Sequence, residues 1–199
     1  MVLSLLTTAQ ALDVVADRLA LLAPPAAGPL VVAVDGRSGS GKTDLATALS
    51  TRLTAPVVHM DDLYPGWDGL QAAVGLLTDL LCRLRSGDAV RQPVWDWSLA
   101  RYTRDVALPR SGILLIEGVG AGCAGEVDLL VWMQADTEVR RERALARDGE
   151  TFRPHWERWG QQEETVFRTR HVRTDADLEF ATHRRAEHGP LWELCGGGD

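Results

Sequence analysis

Gly36-Arg37-Ser38-Gly39-Ser40-Gly41-Lys42-Thr43 is the stretch on which the fold turns. It satisfies the pattern G-x-x-x-x-G-K-[ST] and lies between an apolar, strand-like run, Leu30 to Val34, and a helix-like segment that begins near Lys42. In that setting glycines let the chain wrap so that successive backbone N–H groups point inward, and the positive end of the following helix favours an anion. The pattern predicts a phosphate cradle made of Gly36, Ser38, Gly39, Ser40, Gly41, Lys42 and Thr43. In it the Lys42 ammonium reaches the β- and γ-phosphates of a nucleotide, and the Thr43 hydroxyl ligates Mg2+. Without its flanking strand and helix the same octapeptide would be no more than a Gly/Ser-rich turn. Lys42 is also the one lysine among 21 basic residues. A compact ammonium on a flexible stem threads a tight loop where a planar guanidinium does not.

Outward from the loop, apolar runs of strand length recur at Val57 to Met60, Ile113 to Ile116, Leu129 to Met133 and Leu178 to Ala181. Helix-like segments separate them. Leu45, Leu49 and Leu53 share a face after the first strand, and Val74, Leu77 and Leu81 do so after the second. Near-continuous apolar strands alternating with helices predict a parallel sheet covered on both sides. The fold class expected is α/β, a P-loop NTPase with three αβα layers around a central parallel sheet of five strands, in one domain spanning residues 1–199. Met1 to Leu22 is apolar but lacks a basic leader and carries Asp13, Asp17 and Arg18. It reads as an amphipathic helix capped by Thr7 or Thr8, with Leu12, Val15 and Leu19 at helical spacing and Pro24-Pro25 as its stop. The glycine-rich end, Gly196 to Asp199, is expected to fray.

Bulk properties narrow the ligand. A formal charge of -7 works against holding a nucleic-acid polymer and favours a small-molecule acceptor. No apolar run is long enough to cross a bilayer, and Cys82, Cys123 and Cys195 form no C-x-x-C pair, which suits a reducing, cytoplasmic setting.

Acidic residues at strand ends supply the next candidates. The second strand runs into His59-Met60-Asp61-Asp62-Leu63-Tyr64, at the carboxyl edge where open α/β sheets bind ligands. Asp61 or Asp62 either takes a proton from an attacking hydroxyl and helps hold Mg2+, or only caps a turn. Glu117 closes the strand Ile113 to Ile116 before Gly118-Val119-Gly120-Ala121-Gly122; it either faces a metal or merely ends the strand. From Asp136 to Val172 the chain is rich in arginine, with Arg140, Arg143 and Arg147 on one helical face and Arg153 beyond a turn. Such a segment, about 147–163, either closes over a nucleotide as a lid or is a solvated face paired with Glu138, Glu142 and Glu150.

With the loop, Met60-Asp61-Asp62-Leu63-Tyr64, Glu117-Gly118 and Arg147-Asp148 in this order, the chain resembles the uridine kinase family of P-loop kinases. Members carry D-x-x-Y after the second strand, E-G after a later one and R-D before the lid. The resemblance implies ATP and Mg2+, Asp61 as the base toward a sugar 5′-hydroxyl, and Thr43, Asp61 and Glu117 around the metal. It further implies Lys42 and Arg147 in catalysis, Arg143, Arg147 and Arg153 on phosphate, and Asp62 and Tyr64 near the acceptor. The family's base-reading motif, P-x-Y-D-F-x-x-H-x-R, is matched in part by Pro93-Val94-Trp95-Asp96-Trp97-Ser98-Leu99-Ala100-Arg101-Tyr102. Trp95 and Trp97 stand for the aromatics, Ala100 takes the histidine place and Tyr102 the arginine place, with Arg101 or Arg104 as substitutes. The two tryptophans either stack on an acceptor ring or are buried in a core.

Three functions remain in competition: a nucleoside kinase, a kinase of another small alcohol such as a vitamin precursor, a sugar acid or an antibiotic, and a nucleotide-binding regulator without transfer activity. The adenine contacts are expected in the loop after Leu178 to Ala181.

Overall fold

The computed structural model describes residues 5–183 and 191–197, so the far part of the loop expected to meet adenine, 184–190, and the last two residues lie outside the described residues. The elements in order are β1 (Leu5–Leu6), α1 (Thr8–Ala20), β2 (Leu30–Asp35), α2 (Lys42–Leu53), β3 (Val57–His59), α3 (Leu70–Arg85), β4 (Arg91–Asp96), β5 (Arg101–Ala107) and β6 (Ile113–Glu117). They continue as β7 (Leu129–Gln134), α4 (Thr137–Phe152), α5 (Trp156–Arg170), β8 (Leu178–Thr182) and β9 (Trp192–Gly197).

Five adjacent parallel strands, β8, β7, β2, β6 and β3, make up the main sheet as far as its β3 edge, as the apolar runs predict. Among the described residues the sheet has seven strands, because β9 pairs antiparallel with β8, and β1 with β9. The last element was not legible: Trp192–Gly197 carries neither a continuous apolar run nor a clean alternation, and the fraying expected from Gly196 is replaced by pairing of Gly196 and Gly197 with Glu179 and Leu178. The strand expected over Val57 to Met60 stops at His59, since Met60–Asp62 winds into a 3-10 turn.

Alternation along the strands builds two cores. Val31 and Ala33 face the layer of α3 and α5, with Leu114, Ile116 and Trp132; Val32 and Val34 face α1 and α2, with Leu115, Leu129 and Met133. That is the three-layer αβα arrangement. In α1 the cap is Thr7, whose side chain accepts from Gln10 N–H while the Gln10 side chain accepts from Thr7 N–H. Val15 and Leu19 are buried, and the helix ends at Ala20, short of Pro24.

Two features position the site. A separate hairpin, β4–β5, is anchored to the loop after β3, where Trp97 Nε1 donates to Asp61 O at 3.0 Å and Tyr102 Oη to Leu63 O at 2.8 Å. The helix α4 is broken at Gly149 (φ 56°, ψ -133°), so the chain turns through Arg153–His155 before α5 begins. No helix among the described residues is long and apolar enough to cross a membrane.

Candidate active site

The phosphate loop is held from below by Asp35, the fully buried end of β2. One Asp35 oxygen accepts from Gly36 N–H at 2.6 Å and Gly120 N–H at 2.9 Å, and the other accepts from Gly122 N–H at 2.8 Å, so one carboxylate joins the loop to the glycine segment after β6. Burial nevertheless pushes the Asp35 carboxyl up to about 6, against the pull of these N–H groups and of Lys42. Backbone crowding explains the glycines: a Cβ on Gly36 would lie 2.1 Å from Met133 O, and one on Gly39 2.1 Å from Arg140 O. Lys42 Nζ donates to Arg37 O at 3.0 Å across the loop. Ser40 Oγ, buried in the cradle, has no hydrogen-bond partner among the described residues. A loop whose Gly36 and Gly39 have no room for a side chain, a helix N-terminus, a buried ammonium and a spare hydroxyl fits a polyphosphate.

Two clefts meet at Gly39, Lys42, Thr43 and Arg147. One, about 740 Å3, lies between the loop, α4 and Thr182 and is lined by Arg143 and Trp192. The other, about 650 Å3, is lined by His59, Asp61, Asp62, Glu117, Asp148 and an aromatic wall of Trp67, Trp97, Phe152 and Trp159.

At the floor of the second cleft Thr43 Oγ1 donates to Glu117 Oε2 at 3.2 Å, and His59 Nδ1 lies 2.7 Å from Glu117 Oε1. Burial alone would raise the Glu117 carboxyl, but the His59 hydrogen bond and the Lys42 charge take it below its ordinary value. His59 is raised, first by its bond to Glu117. Asp61 is an exposed residue on the lining of the cleft; partial desolvation of its carboxyl there and the Glu117 charge raise it, while Arg147 and Lys42 oppose the rise. Lys42 is lowered by burial, against the pull of Glu117, Glu163, Asp35 and Asp61. Two carboxylates and a hydroxyl form an all-oxygen donor set, which fits a hard divalent cation whose remaining ligands are phosphate oxygens and water. Among the described residues no three His, Cys, Asp or Glu side chains are placed to hold a metal by themselves.

Not every expected residue comes to the cleft. Arg147 does, paired with Asp148 at 2.7 Å. Arg143 reaches the first cleft and donates to Thr182 Oγ1 at 2.7 Å. Arg153 is exposed beyond the break in α4, paired with Glu150 at 2.9 Å, and lines neither cleft. Asp62 lines the second cleft, as does Tyr64, although Tyr64 is buried and donates to Val119 O at 2.8 Å, bracing that wall. The hairpin splits the predicted pair of tryptophans. Trp97 lines the cleft, 40% exposed and 4.9 Å from the Trp67 ring, whereas Trp95, at a register shift in the ladder, packs edge-on against Tyr102. Asp96 is spent on its own turn, accepting from Ser98 and Leu99 N–H, and Arg101 is exposed outside the cleft. The sequence reading missed Asp35, His59, Trp67, Phe152 and Trp159. His59 had a usable signal, since it stands on the same strand end as Asp61; the aromatics come from separate elements and share no spacing.

No family model matches the chain. It is 25% identical over 144 residues to a uridine kinase of Latilactobacillus sakei, an alignment covering 62% of this chain and 68% of that one. It is 27% identical over 124 residues to a cytidylate kinase of Haloarcula marismortui, covering 62% of this chain and 61% of the relative. The structure of a possible uridine kinase from Bacillus stearothermophilus superposes with a TM-score of 0.60 at 23% identity, over 86% of this chain and 97% of the other. The fold is that of the P-loop NTPases, and the chain resembles the uridine kinase-like P-loop kinases, as its motifs imply.

Proposed function

We propose that the chain is an ATP-dependent kinase that transfers the γ-phosphate to a hydroxyl of a small, ring-bearing acceptor with no phosphate of its own, a uridine- or cytidine-like nucleoside being the first choice. The observation that carries this reading is the meeting of two clefts at one phosphate loop, with Lys42 and Arg147 at the junction. A nucleotide switch needs one pocket; transfer between two molecules needs two that share the reacting phosphate. Asp61 is the base, a carboxylate on the lining of the acceptor cleft whose affinity for a proton is raised by desolvation. Lys42 and Arg147 face the charge that develops on the transferred group, and Tyr64 and Trp97 keep the acceptor wall in place. Thr43, Asp61 and Glu117 are the residues that would hold Mg2+, which supplies neutralisation of phosphate charge.

The choice against a phosphorylated acceptor rests on charge. The described residues lining the acceptor cleft include four carboxylates, Asp61, Asp62, Glu117 and Asp148, against Lys42 and Arg147 at the junction and His59 held by Glu117. A second phosphate on the acceptor would meet a wall of its own sign. We read the part of the expected 147–163 lid that lies about the break at Gly149, roughly 147–155, as the element that closes over the nucleotide, with Trp159 and Glu163 packed against the body of a single domain, and the free thiols Cys82, Cys123 and Cys195 as signs of a cytoplasmic setting.

A second reading, a kinase of another small alcohol, is favoured by the hairpin. Ala100 offers no hydrogen bond, Tyr102 Oη is committed to Leu63 O, and Asp96 to its turn, so these positions give little for reading a pyrimidine edge. The test is ADP release with ATP and Mg2+ against a panel of nucleosides, nucleoside monophosphates, sugars, vitamins and aminoglycosides, with Lys42→Ala as blank. Release with uridine or cytidine supports the first reading and release with another alcohol the second. Release with cytidylate but not cytidine would refute the charge argument.

A further inference from the structure

The phosphate loop is gripped from outside as well as from below. Ser38, in the middle of the loop, has both backbone groups taken by side chains of the segment that follows β7. Its N–H donates to Glu163 Oε1 at 2.8 Å, and its carbonyl accepts from Arg140 at 3.2 Å. The neighbouring Arg37 side chain is held by Glu163 at 3.6 Å and Glu164 at 2.5 Å, with its guanidinium 5.7 Å from the centre of the Phe167 ring.

Glu163 is the unusual member of this group. It is 2% exposed, on a helix whose other acids, Glu157 and Glu164, face solvent. A buried carboxylate close to a loop built for polyphosphate opposes the ligand's charge, so it needs a compensating use. Its contacts supply one. By accepting the Ser38 N–H it turns that peptide away from the cradle and fixes the path from Arg37 to Gly39, while Arg37 balances its charge.

Helical spacing ties this grip to the acceptor side. Trp159, Gln162 and Glu163 stand at i, i+3 and i+4 on the face of α5 turned to the body of the protein. Trp159 packs edge-on to Tyr64 at 4.8 Å, and Gln162 donates to Trp67 O at 2.7 Å. One turn of helix therefore touches both the acceptor wall and the phosphate loop.

Resting on the kinase reading above, we infer that Glu163 is a positioning residue for the phosphate loop, holding it in its nucleotide-binding shape from the α5 side. Calorimetric titration of Mg2+-ATP into the full chain tests this without any acceptor. The wild-type chain is expected to bind, Glu163→Ala to bind roughly tenfold to a hundredfold more weakly, as for loss of one hydrogen bond to a charged group. Glu163→Gln keeps an acceptor oxygen for Ser38 N–H and is expected to recover most of the affinity; Glu163→Asp, one methylene short, is not. Where the alanine variant does not fold, the Asp and Gln variants decide alone, with Asp weaker than Gln in support and the two equal against. Wild-type-like binding in all three variants, or a Gln variant as weak as Ala, would overturn the inference while leaving the kinase reading intact. A wild-type chain that does not bind ATP would remove the nucleotide reading and this inference with it.

Discussion

Raising the pH from 3 to 7 should weaken the fold through one buried side chain. Asp35 sits at about 6 in the folded chain against an ordinary value of 3.8, because complete burial outweighs three backbone N–H groups and the Lys42 charge. Below about pH 3 the carboxyl is protonated whether the chain is folded or not. Between 4 and 6 the unfolded chain releases its proton and the folded chain keeps it, so stability falls as pH rises; above 6 both forms are ionised and the loss levels off. Two pH units at about 1.4 kcal/mol each make a loss of about 3 kcal/mol. Other groups titrate over the same range, so the measurement is a difference. Urea unfolding followed by tryptophan fluorescence is run at several pH values on the wild-type chain and on Asp35→Asn, which has nothing to titrate at that position. The amide also brings an N–H2 toward Gly122 N–H, but that penalty does not vary with pH and cancels in the shape of the curve. Relative to the variant, the wild type should lose about 3 kcal/mol between pH 3 and 7. A flat difference, or one that rises with pH, would refute the reasoning and mean that the N–H groups of Gly36, Gly120 and Gly122 outweigh burial.

Asp61→Asn should lower kcat by about a hundredfold to ten-thousandfold while ATP binding by calorimetry is retained; unchanged turnover would remove Asp61 as the base. Gly39→Ala puts a Cβ 2.1 Å from Arg140 O in a backbone with φ of 80°, and should abolish ATP binding and lower the thermal midpoint by several degrees. A variant that binds ATP normally would show that the loop has room to spare. Trp97→Ala removes an exposed face of the acceptor wall and should raise KM for the acceptor about tenfold with ATP affinity unchanged, the size expected for one ring stack; an unaltered KM would put the acceptor elsewhere.

The parallel part of the fold was open to reading because its signals are local. Each of the five strands is an apolar run, and in a sheet covered on both faces no alternation is needed to declare it. What was hidden is the antiparallel addition. β5, Arg101–Ala107, is exposed throughout, so burial leaves no periodic mark on its sequence, and β9 ends in glycines that owe their extended shape to pairing with β8. The helix break at Gly149 was likewise invisible, since one glycine among good helix formers marks a weak point without saying that the chain will turn there.

The candidate site divides along the same line. Its nucleotide half was legible because backbone geometry dictates residue type at fixed offsets: Gly39 cannot carry a Cβ there, and Lys42 and Thr43 must follow at the helix start. Its acceptor half obeys no such offset. Trp67 comes from a loop, Trp97 from the hairpin turn, Phe152 from beyond the break in α4 and Trp159 from α5, and they converge only once the chain is folded. The side chains that hold the loop are equally silent in sequence: Glu163 looks like any acid on a polar helix until α5 is packed beside α3, when its position four residues after Trp159 directs it inward to Ser38. A phosphate loop can thus be found from eight residues, whereas what it hands its phosphate to is written in contacts between segments some 30 to 90 residues apart, Trp67 with Trp97 and Trp67 with Trp159.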